Sequence, residues 1–287
     1  MLLAIDVGNT ETVIGLFAMT SHEHESLPSA DIGFGIGAEQ QRGRDLTHHW
    51  RLSTVPARTP DEYAVLLTQI LDLEGLDIAT TVDGLAICSS VPSVTSELRQ
   101  TAGRWFGGVP CVVLGPGTRS GMPVLYDNPK DVGADRVANA VGAFDLYGGP
   151  CIVVDLGTAT TFDAISDAGE YLGGAIAPGV VISLEALFQH AAALRRVELV
   201  EPRAAIGRST AESIQSGVLY GFAAQVDGMC RRIVGELGGS ATVVATGGLC
   251  ELVAPYAETV EHVEPWLTLH GLRLVYERNV GAGVRSS

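Results

Sequence analysis

Two aspartates, Asp6 and Asp155, each close an apolar run and lead into a glycine turn. Residues 4–13 and 153–162 both read apolar, apolar, Asp, apolar, Gly, Asn or Thr, two further residues, Thr and apolar. Glycine lets the backbone approach phosphate oxygens closely, and main-chain N–H groups with Asn or Thr side chains can donate to them. The aspartates can hold cations that bridge to phosphate. The repeat therefore favours a phosphate site between two like halves over two unrelated Asp-Gly turns, which remain the alternative.

A third glycine turn follows a further apolar run. Residues 242–246 read as a strand that ends at Gly247-Gly248, and a helix is predicted near residues 250–253. A turn without side chains could let a flat base lie against the backbone. By itself this signal is weak, because glycines commonly end strands.

The charge of the chain restricts how it could bind phosphate. Its 287 residues carry 18 Lys and Arg against 33 Asp and Glu, a net charge of −15, and Lys130 is the only lysine. A Walker A loop and a protein kinase each need a lysine in a defined motif, and neither motif is present. An acidic surface also disfavours nucleic acid and anionic membranes. A nucleotide site here would depend on glycine turns, hydroxyls, arginines and bound cations.

Cysteine usage and hydropathy bear on the compartment. The five cysteines are an odd number without a C-x-x-C pair, and most have apolar neighbours, as reduced core cysteines do. The chain begins with a short apolar run that meets Asp6 at once, and it has no long uncharged apolar stretch. These features predict a cytoplasmic protein without a secretory signal or a membrane span.

Periodicity and turn residues outline an α/β chain. Thr59-Pro60-Asp61-Glu62 predicts a helix start, with Thr59 as cap, Pro60 in the first turn and Glu62 completing a capping box. Residues 20–47 lack periodicity and are interpreted as a surface insertion; we assign no metal to His22 and His24 and no nucleotide to residues 33–37. Strands are predicted at residues 2–5, 13–17, 50–54, 84–89, 109–114 and 151–155, and further helices after Pro92 and over residues 135–147.

The order of these motifs resembles that of a known superfamily. The two acid–glycine hairpins and the Gly-Gly turn are similar to the acetate/sugar kinase, Hsc70 and actin superfamily, whose members bind a nucleotide in a cleft between duplicated domains. Four further motifs narrow the resemblance to the type III pantothenate kinases: Tyr126-Asp127-Asn128-Pro129, Val132-Gly133-Ala134-Asp135-Arg136, Gly173-Gly174-Ala175-Ile176-Ala177-Pro178-Gly179 and Ile206-Gly207-Arg208-Ser209-Thr210.

The resemblance implies a fold and an activity. The fold would be α/β, with two duplicated ribonuclease H-like (actin-like) domains, residues 1–147 and 148–287, each a mixed sheet flanked by helices, with the nucleotide between them. The activity would be ATP-dependent phosphorylation of pantothenate to 4′-phosphopantothenate, the first step of coenzyme A biosynthesis. The resemblance also implies a homodimer, with the substrate pocket near the subunit interface, and no nucleic-acid or membrane partner.

The resemblance assigns roles to individual residues. Asp135 would accept the hydroxyl proton as the catalytic base, Asp6 would position Mg²⁺ with ATP, and Asp155 would bind an activating K⁺ or ammonium ion. Arg136 would bind polar groups of pantothenate, including its carboxylate. The residues that would contact ATP are Asp6, Val7, Gly8, Asn9, Thr10, Glu11, Thr12, Val13, Thr158, Gly247 and Gly248. The residues that would contact pantothenate are Tyr126, Gly133, Ala134, Asp135, Arg136 and Thr210.

Glu11 departs from the resemblance, because relatives often carry Asn or His there. A carboxylate near phosphates is unfavourable unless it points outward or meets a cation. Two other functions therefore stay open: another small-molecule kinase or phosphatase of the same superfamily, and a catalytically idle relative that regulates or binds a partner. The intact Asp6, Asp135 and Asp155 speak against the idle relative.

Overall fold

The computed structural model describes residues 1–19, 45–191, 194 and 196–280. By packing, the chain divides into two compact units: Met1–Arg119 with the segment that starts at Leu272, and Ser120–Gly271. The predicted division at residue 148 follows the sequence repeat rather than the packing and stays a prediction. Most of the predicted insertion, with His22, His24 and residues 33–37, lies outside the described residues.

The first unit is built on a five-stranded mixed sheet in the order β3-β2-β1-β4-β5. Strands β1 and β2 form an antiparallel hairpin, β3 pairs antiparallel with β2, and β4 and β5 continue parallel to β1. The predicted capping box is confirmed at α1, where the Thr59 hydroxyl accepts the backbone N–H of Glu62. The elements are β1 (Leu2–Val7), β2 (Glu11–Phe17), β3 (Leu46–Ser53), α1 (Pro60–Asp72), α2 (Ile78–Thr81), β4 (Gly84–Ser89), α3 (Pro92–Trp105) and β5 (Cys111–Val113).

The second unit repeats the arrangement with the order β10-β9-β6-β7-β8. Strands β6 and β7 form the hairpin, β8 pairs antiparallel with β7, and β9 lies parallel to β6. Its elements are α4 (Ala134–Tyr147), β6 (Cys151–Leu156), β7 (Ala159–Ile165), β8 (Tyr171–Pro178), α5 (Val180–His190), α6 (Thr210–Glu236), β9 (Thr242–Thr246), α7 (Cys250–Val253), β10 (His262–Val263) and α8 (Leu267–Val280). The packing division falls within α8.

Both sheets bury one face under apolar side chains. In the first unit Ile5, Ile14 and Ile87 pack with Leu67 and Leu98 of α1 and α3. In the second unit the equivalent face of β6, β7 and β9 packs against α5 and α6. The predicted α/β class with a duplicated mixed sheet is confirmed.

Several element bounds differ from those predicted. Strand β3 begins at Leu46, inside the predicted insertion, because its polar residues pair with β2 along the sheet edge. Helix α3 continues past Arg99 to Trp105. Among the described helices α6 is the longest, at 27 residues, and none combines the length and apolar character that a membrane crossing needs.

Candidate functional site

The first acid–glycine turn is a tight β-hairpin between β1 and β2. Within it the Gly8 N–H donates to the Glu11 carbonyl at 2.9 Å, which leaves Asn9 and Thr10 exposed at the tip. The side chain of Val7 is buried in the core, so only its backbone could face a nucleotide. The predicted turn therefore presents backbone and short polar side chains, the groups that phosphate recognition without lysine requires.

Thr54 fixes the back of this hairpin. Its hydroxyl donates to the Gly8 carbonyl at 2.8 Å and lies 2.8 Å from the Thr12 hydroxyl, and its N–H donates to the Thr10 carbonyl. Thr12 is only 3% exposed, so it supports the turn from beneath. Sequence reasoning did not identify Thr54, because its contacts cross more than 40 residues.

Asp6 lies at the end of β1, half-buried, opposite Cys88 of the parallel strand β4. The Cys88 thiol lies 3.0 Å from Oδ1 of Asp6 and donates to it. A thiol is a weak donor, so this contact orients the carboxylate without neutralising its charge. Asp6 remains suited to hold a divalent cation, for which carboxylate oxygens are preferred ligands.

The unusual residue of this hairpin, Glu11, meets a cation. Oε2 of Glu11 lies 2.6 Å from Nη1 of Arg51 on the neighbouring strand β3. Both side chains are partly exposed, so the pair is worth at most about 1 kcal/mol in stability. It nevertheless cancels the negative charge that made Glu11 unfavourable beside phosphate. The best sequence support for an idle relative is thereby removed.

The second acid–glycine turn carries Asp155 at the end of β6. The fully buried Asn139 of α4 donates from Nδ2 to Oδ2 of Asp155 at 3.0 Å. The Thr268 hydroxyl donates to the other end of the same amide at 2.7 Å. This chain of hydrogen bonds fixes the orientation of the Asp155 carboxylate.

The Gly-Gly turn packs directly on Asp155. Gly247 has a φ of +93°, and a Cβ placed there would lie 2.4 Å from Oδ1 of Asp155. Thr246 stands opposite Asp155 in the sheet register, and its buried hydroxyl has no hydrogen-bond partner among the described residues. Buried polar atoms are rarely left unpaired. An oxygen of this kind beside a fixed carboxylate matches the ligands that a hard cation takes.

Glycines of the Gly173–Gly179 motif let the chain pack closely against the second hairpin. A Cβ on Gly174 would lie 1.7 Å from the carbonyl oxygen of Phe162, and one on Gly179 would lie 2.2 Å from that of Thr158. Glycine at 179 therefore lets the chain pack against the backbone of the turn with Gly157 and the exposed Thr158. These close approaches explain why this motif is rich in glycine.

Asp135 lies in the first turn of α4, where the helix dipole favours a carboxylate. Its Oδ1 accepts the backbone N–H of Arg136 at 2.8 Å, and the residue is half-buried. A Cβ on Gly133 would lie 2.4 Å from this oxygen, so glycine at 133 makes the carboxylate position possible. The predicted Gly133-Ala134-Asp135 stretch therefore holds an oriented, accessible carboxylate.

Arg136 is not a free surface arginine. Its Nε donates to Oδ1 of Asp163 at 2.7 Å, and its Nη2 lies 2.7 Å from the same oxygen. The Tyr171 hydroxyl donates to that oxygen at 2.7 Å, and the Thr161 hydroxyl lies 3.2 Å from Oδ2. Burial raises the pKa of Asp163 to about 6, although Arg136 and the hydrogen bonds oppose the shift. Neither Asp163 nor Tyr171 belongs to the site residues predicted from the sequence.

Tyr126 borders the Arg136 group. Its ring lies 6.5 Å from that of Tyr171 and packs over Gly173, where a Cβ would approach the ring to 3.3 Å. The Leu125 N–H donates to the Tyr171 carbonyl at 2.8 Å, which fixes the segment before Tyr126. Tyr126 is 38% exposed and can therefore contact a ligand.

Two other polar residues lie outside these clusters of contacts. Thr210 is the exposed first residue of α6, and the preceding Ser209 caps that helix by accepting the Glu212 N–H. Lys130 lies in an exposed 3-10 turn, Pro129–Asp131, that Asn128 caps. The structure supplies a helix-cap explanation for Ser209 and none for Thr210.

Helix α4 connects the two polar clusters of the second unit. It carries Asp135 and Arg136 at its start and Asn139 one turn later, so one rigid element positions the carboxylate, the guanidinium and the partner of Asp155. A carboxylate that can accept a proton, an arginine, and oxygen ligands for a cation are the parts that phosphoryl transfer to an alcohol uses.

Comparison with known proteins assigns the family. Residues 2–232 match the family model of type III pantothenate kinase. A type III pantothenate kinase from Streptomyces avermitilis is 51% identical over 286 residues, covering 98% of this chain and 99% of that protein.

Two solved structures share the fold at low sequence identity. A structure from Campylobacter jejuni, named for the Baf family of transcriptional activators, matches with a TM-score of 0.56 at 17% identity, covering 97% of this chain and 99% of that one. The activator of the 2-hydroxyisocaproyl-CoA dehydratase from Clostridium difficile, with bound ADPNP, matches with a TM-score of 0.52 at 11% identity, covering 100% and 98%. The family model and the close relative together establish that this chain belongs to the type III pantothenate kinase family.

Proposed function

We propose that this chain transfers a phosphoryl group from ATP to the terminal hydroxyl of pantothenate, giving 4′-phosphopantothenate for coenzyme A biosynthesis. The observation that carries the proposal is the Asp135 carboxylate, which Gly133 and the Arg136 N–H hold at the accessible start of α4. Membership of the type III pantothenate kinase family supports pantothenate as the substrate. A pantothenate-dependent release of ADP tests the proposal directly.

In the proposed reaction Asp135 accepts the proton of the attacking hydroxyl. The carboxylate already accepts one N–H through Oδ1, which leaves Oδ2 for the alcohol. Arg136 and the exposed Tyr126 bind polar groups of pantothenate, Arg136 through its forked donors. Thr210 stays a predicted substrate contact.

The first hairpin binds the phosphates of ATP in this proposal. Backbone N–H groups of residues 9–11 with the Asn9 and Thr10 side chains donate to phosphate oxygens, and Asp6 would hold Mg²⁺. Bound Mg²⁺ would neutralise charge that develops on the transferred phosphoryl group. Gly247 and Gly248 offer a side-chain-free surface to the base.

Asp155 is the proposed ligand of a monovalent cation, K⁺ or ammonium. The supporting observation is the fixed carboxylate beside the buried Thr246 hydroxyl, which has no hydrogen-bond partner in the described part of the chain. A cation held there would supply positive charge near polyphosphate in a chain with one lysine. Thr158, exposed in the same hairpin, is the proposed ATP contact.

Arg51 is predicted to support ATP binding through Glu11. Replacing Arg51 with alanine leaves the Glu11 carboxylate uncompensated beside the phosphate turn, so the KM for ATP should rise by about fivefold, the equivalent of about 1 kcal/mol. Steady-state kinetics at saturating pantothenate measure this effect. The double variant Arg51→Ala/Glu11→Gln is the control and should recover most of the loss. An unchanged KM in Arg51→Ala would contradict the role of the pair.

A second copy of the chain is the proposed partner. Edge strand β8 and helix α5 expose large apolar side chains, among them Ile176 at 67%, Val181 at 48% and Ile182 at 44%. Monomeric proteins rarely expose many such residues on neighbouring elements. β8 also carries Tyr171, so an interface along it would lie near the proposed substrate pocket.

The homodimer gives a prediction for α5. A charge introduced by Ile182→Asp would be buried in the interface, so the variant should elute as a monomer of 30.0 kDa, whereas the natural protein should elute as a dimer of twice that mass. Size-exclusion chromatography with light scattering measures both. Leu73→Asp, at an 83% exposed position in the first unit, is the matched control and should stay dimeric. A monomeric natural chain would refute the dimer.

A further inference from the structure

Asp163 is a fully buried carboxylate that neither the motifs nor the proposed roles account for. It lies in β7 with 0% exposure, and Gly174 stands opposite it in the register with β8. A Cβ at 174 would lie 1.7 Å from the carbonyl oxygen of Phe162, so glycine at this position lets β8 pack directly against the backbone next to Asp163. Arg136, Tyr171 and Thr161 all direct their polar groups to the Asp163 carboxylate.

Stability alone does not explain this arrangement. Burying two charges costs several kcal/mol of desolvation, and a buried ion pair can often be replaced by apolar residues without loss of stability. Here the pair is almost completely enclosed, with the Arg136 side chain 10% and that of Asp163 0% exposed. A well-packed apolar pair could have filled the same volume. The geometry is therefore better explained by a need to hold the guanidinium in one orientation.

The contacts show how the orientation is held. Nε and Nη2 of Arg136 both lie 2.7 Å from one oxygen of Asp163, so one edge of the planar guanidinium faces the carboxylate. The Tyr171 hydroxyl donates to the same oxygen, and the Arg136 guanidinium lies 5.9 Å from the Tyr171 ring. The group is thus held at one edge and near an aromatic ring. The backbone N–H of Arg136, at the same time, donates to the Asp135 carboxylate.

We propose that Asp163, supported by Tyr171, is a positioning residue that orients Arg136 to receive the carboxylate of the substrate. The inference rests on the proposed function, in which Arg136 binds pantothenate. Asp163 itself touches no substrate; it acts by holding the guanidinium. Loss of this contact should therefore weaken binding of the anionic substrate while sparing the phosphoryl-transfer step and ATP binding.

The variant Asp163→Asn tests this division. Asparagine keeps the shape and an acceptor oxygen but removes the charge, so the KM for pantothenate should rise by about tenfold, the effect of a charge-assisted hydrogen bond. The kcat and the KM for ATP should change by less than about twofold. A residue that only stabilised the fold would instead lower the active fraction and leave the KM for pantothenate unchanged.

A double-mutant comparison shows whether Asp163 acts through Arg136. In the Arg136→Gln background the Asp163→Asn change should raise the KM for pantothenate no further, because residues that share one interaction are not additive. With a neutral analogue that carries a hydroxymethyl group in place of the carboxylate, Asp163→Asn should have no effect on KM. An additive effect in the double variant, or an equal effect on the neutral analogue, would overturn the inference.

A pH profile of the natural chain gives a second readout that needs no variant to fold. The groups that face Asp163 are Arg136 from α4, Tyr171 from β8 and Thr161 from its own strand. Because burial raises the pKa of Asp163 to about 6, protonation between pH 7.5 and 5.5 should raise the KM for pantothenate several-fold more than that for the neutral analogue. Equal pH dependence for both substrates would contradict the proposal.

The failure of each proposal can be told apart. If the natural chain releases no ADP with pantothenate, the proposed function is wrong. If the natural chain is active and Arg136→Gln raises the KM for pantothenate, but Asp163→Asn does not, only the positioning role is wrong. The variant Tyr171→Phe removes one hydrogen bond to Asp163 and keeps the ring, so it should raise the KM for pantothenate by about threefold. An unchanged KM would show that Tyr171 does not help Asp163 to orient Arg136.

Discussion

Asp135→Asn should lower kcat for pantothenate-dependent ADP release by about 10²- to 10⁴-fold, the contribution of a positioned general base. Asparagine keeps the size of the side chain, and its amide oxygen can still accept the Arg136 N–H that Oδ1 now accepts. It cannot accept the proton of the attacking hydroxyl. The KM values for ATP and pantothenate should therefore change little while kcat is lost. Initial rates in a coupled ADP assay measure this difference.

Three further variants accompany this one, two of them controls. Asp167→Asn changes an exposed aspartate in a turn of the second unit and should keep full activity. Gly133→Ala should also lower kcat, because its Cβ would lie 2.4 Å from Oδ1 of Asp135 and displace the carboxylate. The Gly235→Ala variant, at an exposed helical site with open space, should have no effect. Robust turnover by a folded Asp135→Asn variant would refute Asp135 as the base.

Gly247→Ala should combine a loss of stability with a loss of ATP binding. The backbone at φ +93° costs a side-chain-bearing residue about 1–2 kcal/mol. The added Cβ would also lie 2.4 Å from Oδ1 of Asp155 and 2.7 Å from the backbone of Leu156, so the carboxylate or the turn must move. We expect a lower Tm and a KM for ATP raised on the order of tenfold. Thermal unfolding measures the Tm, and steady-state kinetics at varied K⁺ measure the KM for ATP.

Gly238→Ala separates the two causes. Gly238 has a similar φ of +94°, but among the residues that the structure describes no atom outside its chain neighbours lies within 4 Å of a Cβ placed there. Its substitution should therefore reproduce the backbone strain and the fall in Tm without raising the KM for ATP. If Gly238→Ala and Gly247→Ala have the same kinetics, Gly247 does not support the Asp155 site.

The parts of the fold that could be predicted are those that local sequence specifies. The two hairpins follow from apolar strands on either side of a glycine turn, and the start of α1 follows from Thr59 and Glu62. The approach of Gly247 to Asp155 could be anticipated only through the resemblance, since 92 residues separate the two. In each of these cases few residues decide the structure.

The parts that could not be predicted depend on contacts between distant residues. The pairs Glu11–Arg51 and Arg136–Asp163 join residues 40 and 27 positions apart, and their spacing carries no periodic signal. Helix α6 contains several glycines, which lower helix propensity, and it is stabilised by burying one apolar stripe against the sheet. The domain boundary, the cytoplasmic location and the roles assigned to single residues stay predictions.

The central claim is tested most directly by one measurement, the rate of ADP release by the purified chain with ATP and Mg²⁺, with and without pantothenate, and with and without K⁺. The proposed function predicts release that depends on pantothenate, is stimulated by K⁺ or ammonium, and gives 4′-phosphopantothenate in equal amount to ADP. Release that is indifferent to pantothenate but depends on a sugar would identify a different kinase of the superfamily. If no ADP is released with pantothenate or with a sugar, with or without K⁺, the proposed function is contradicted.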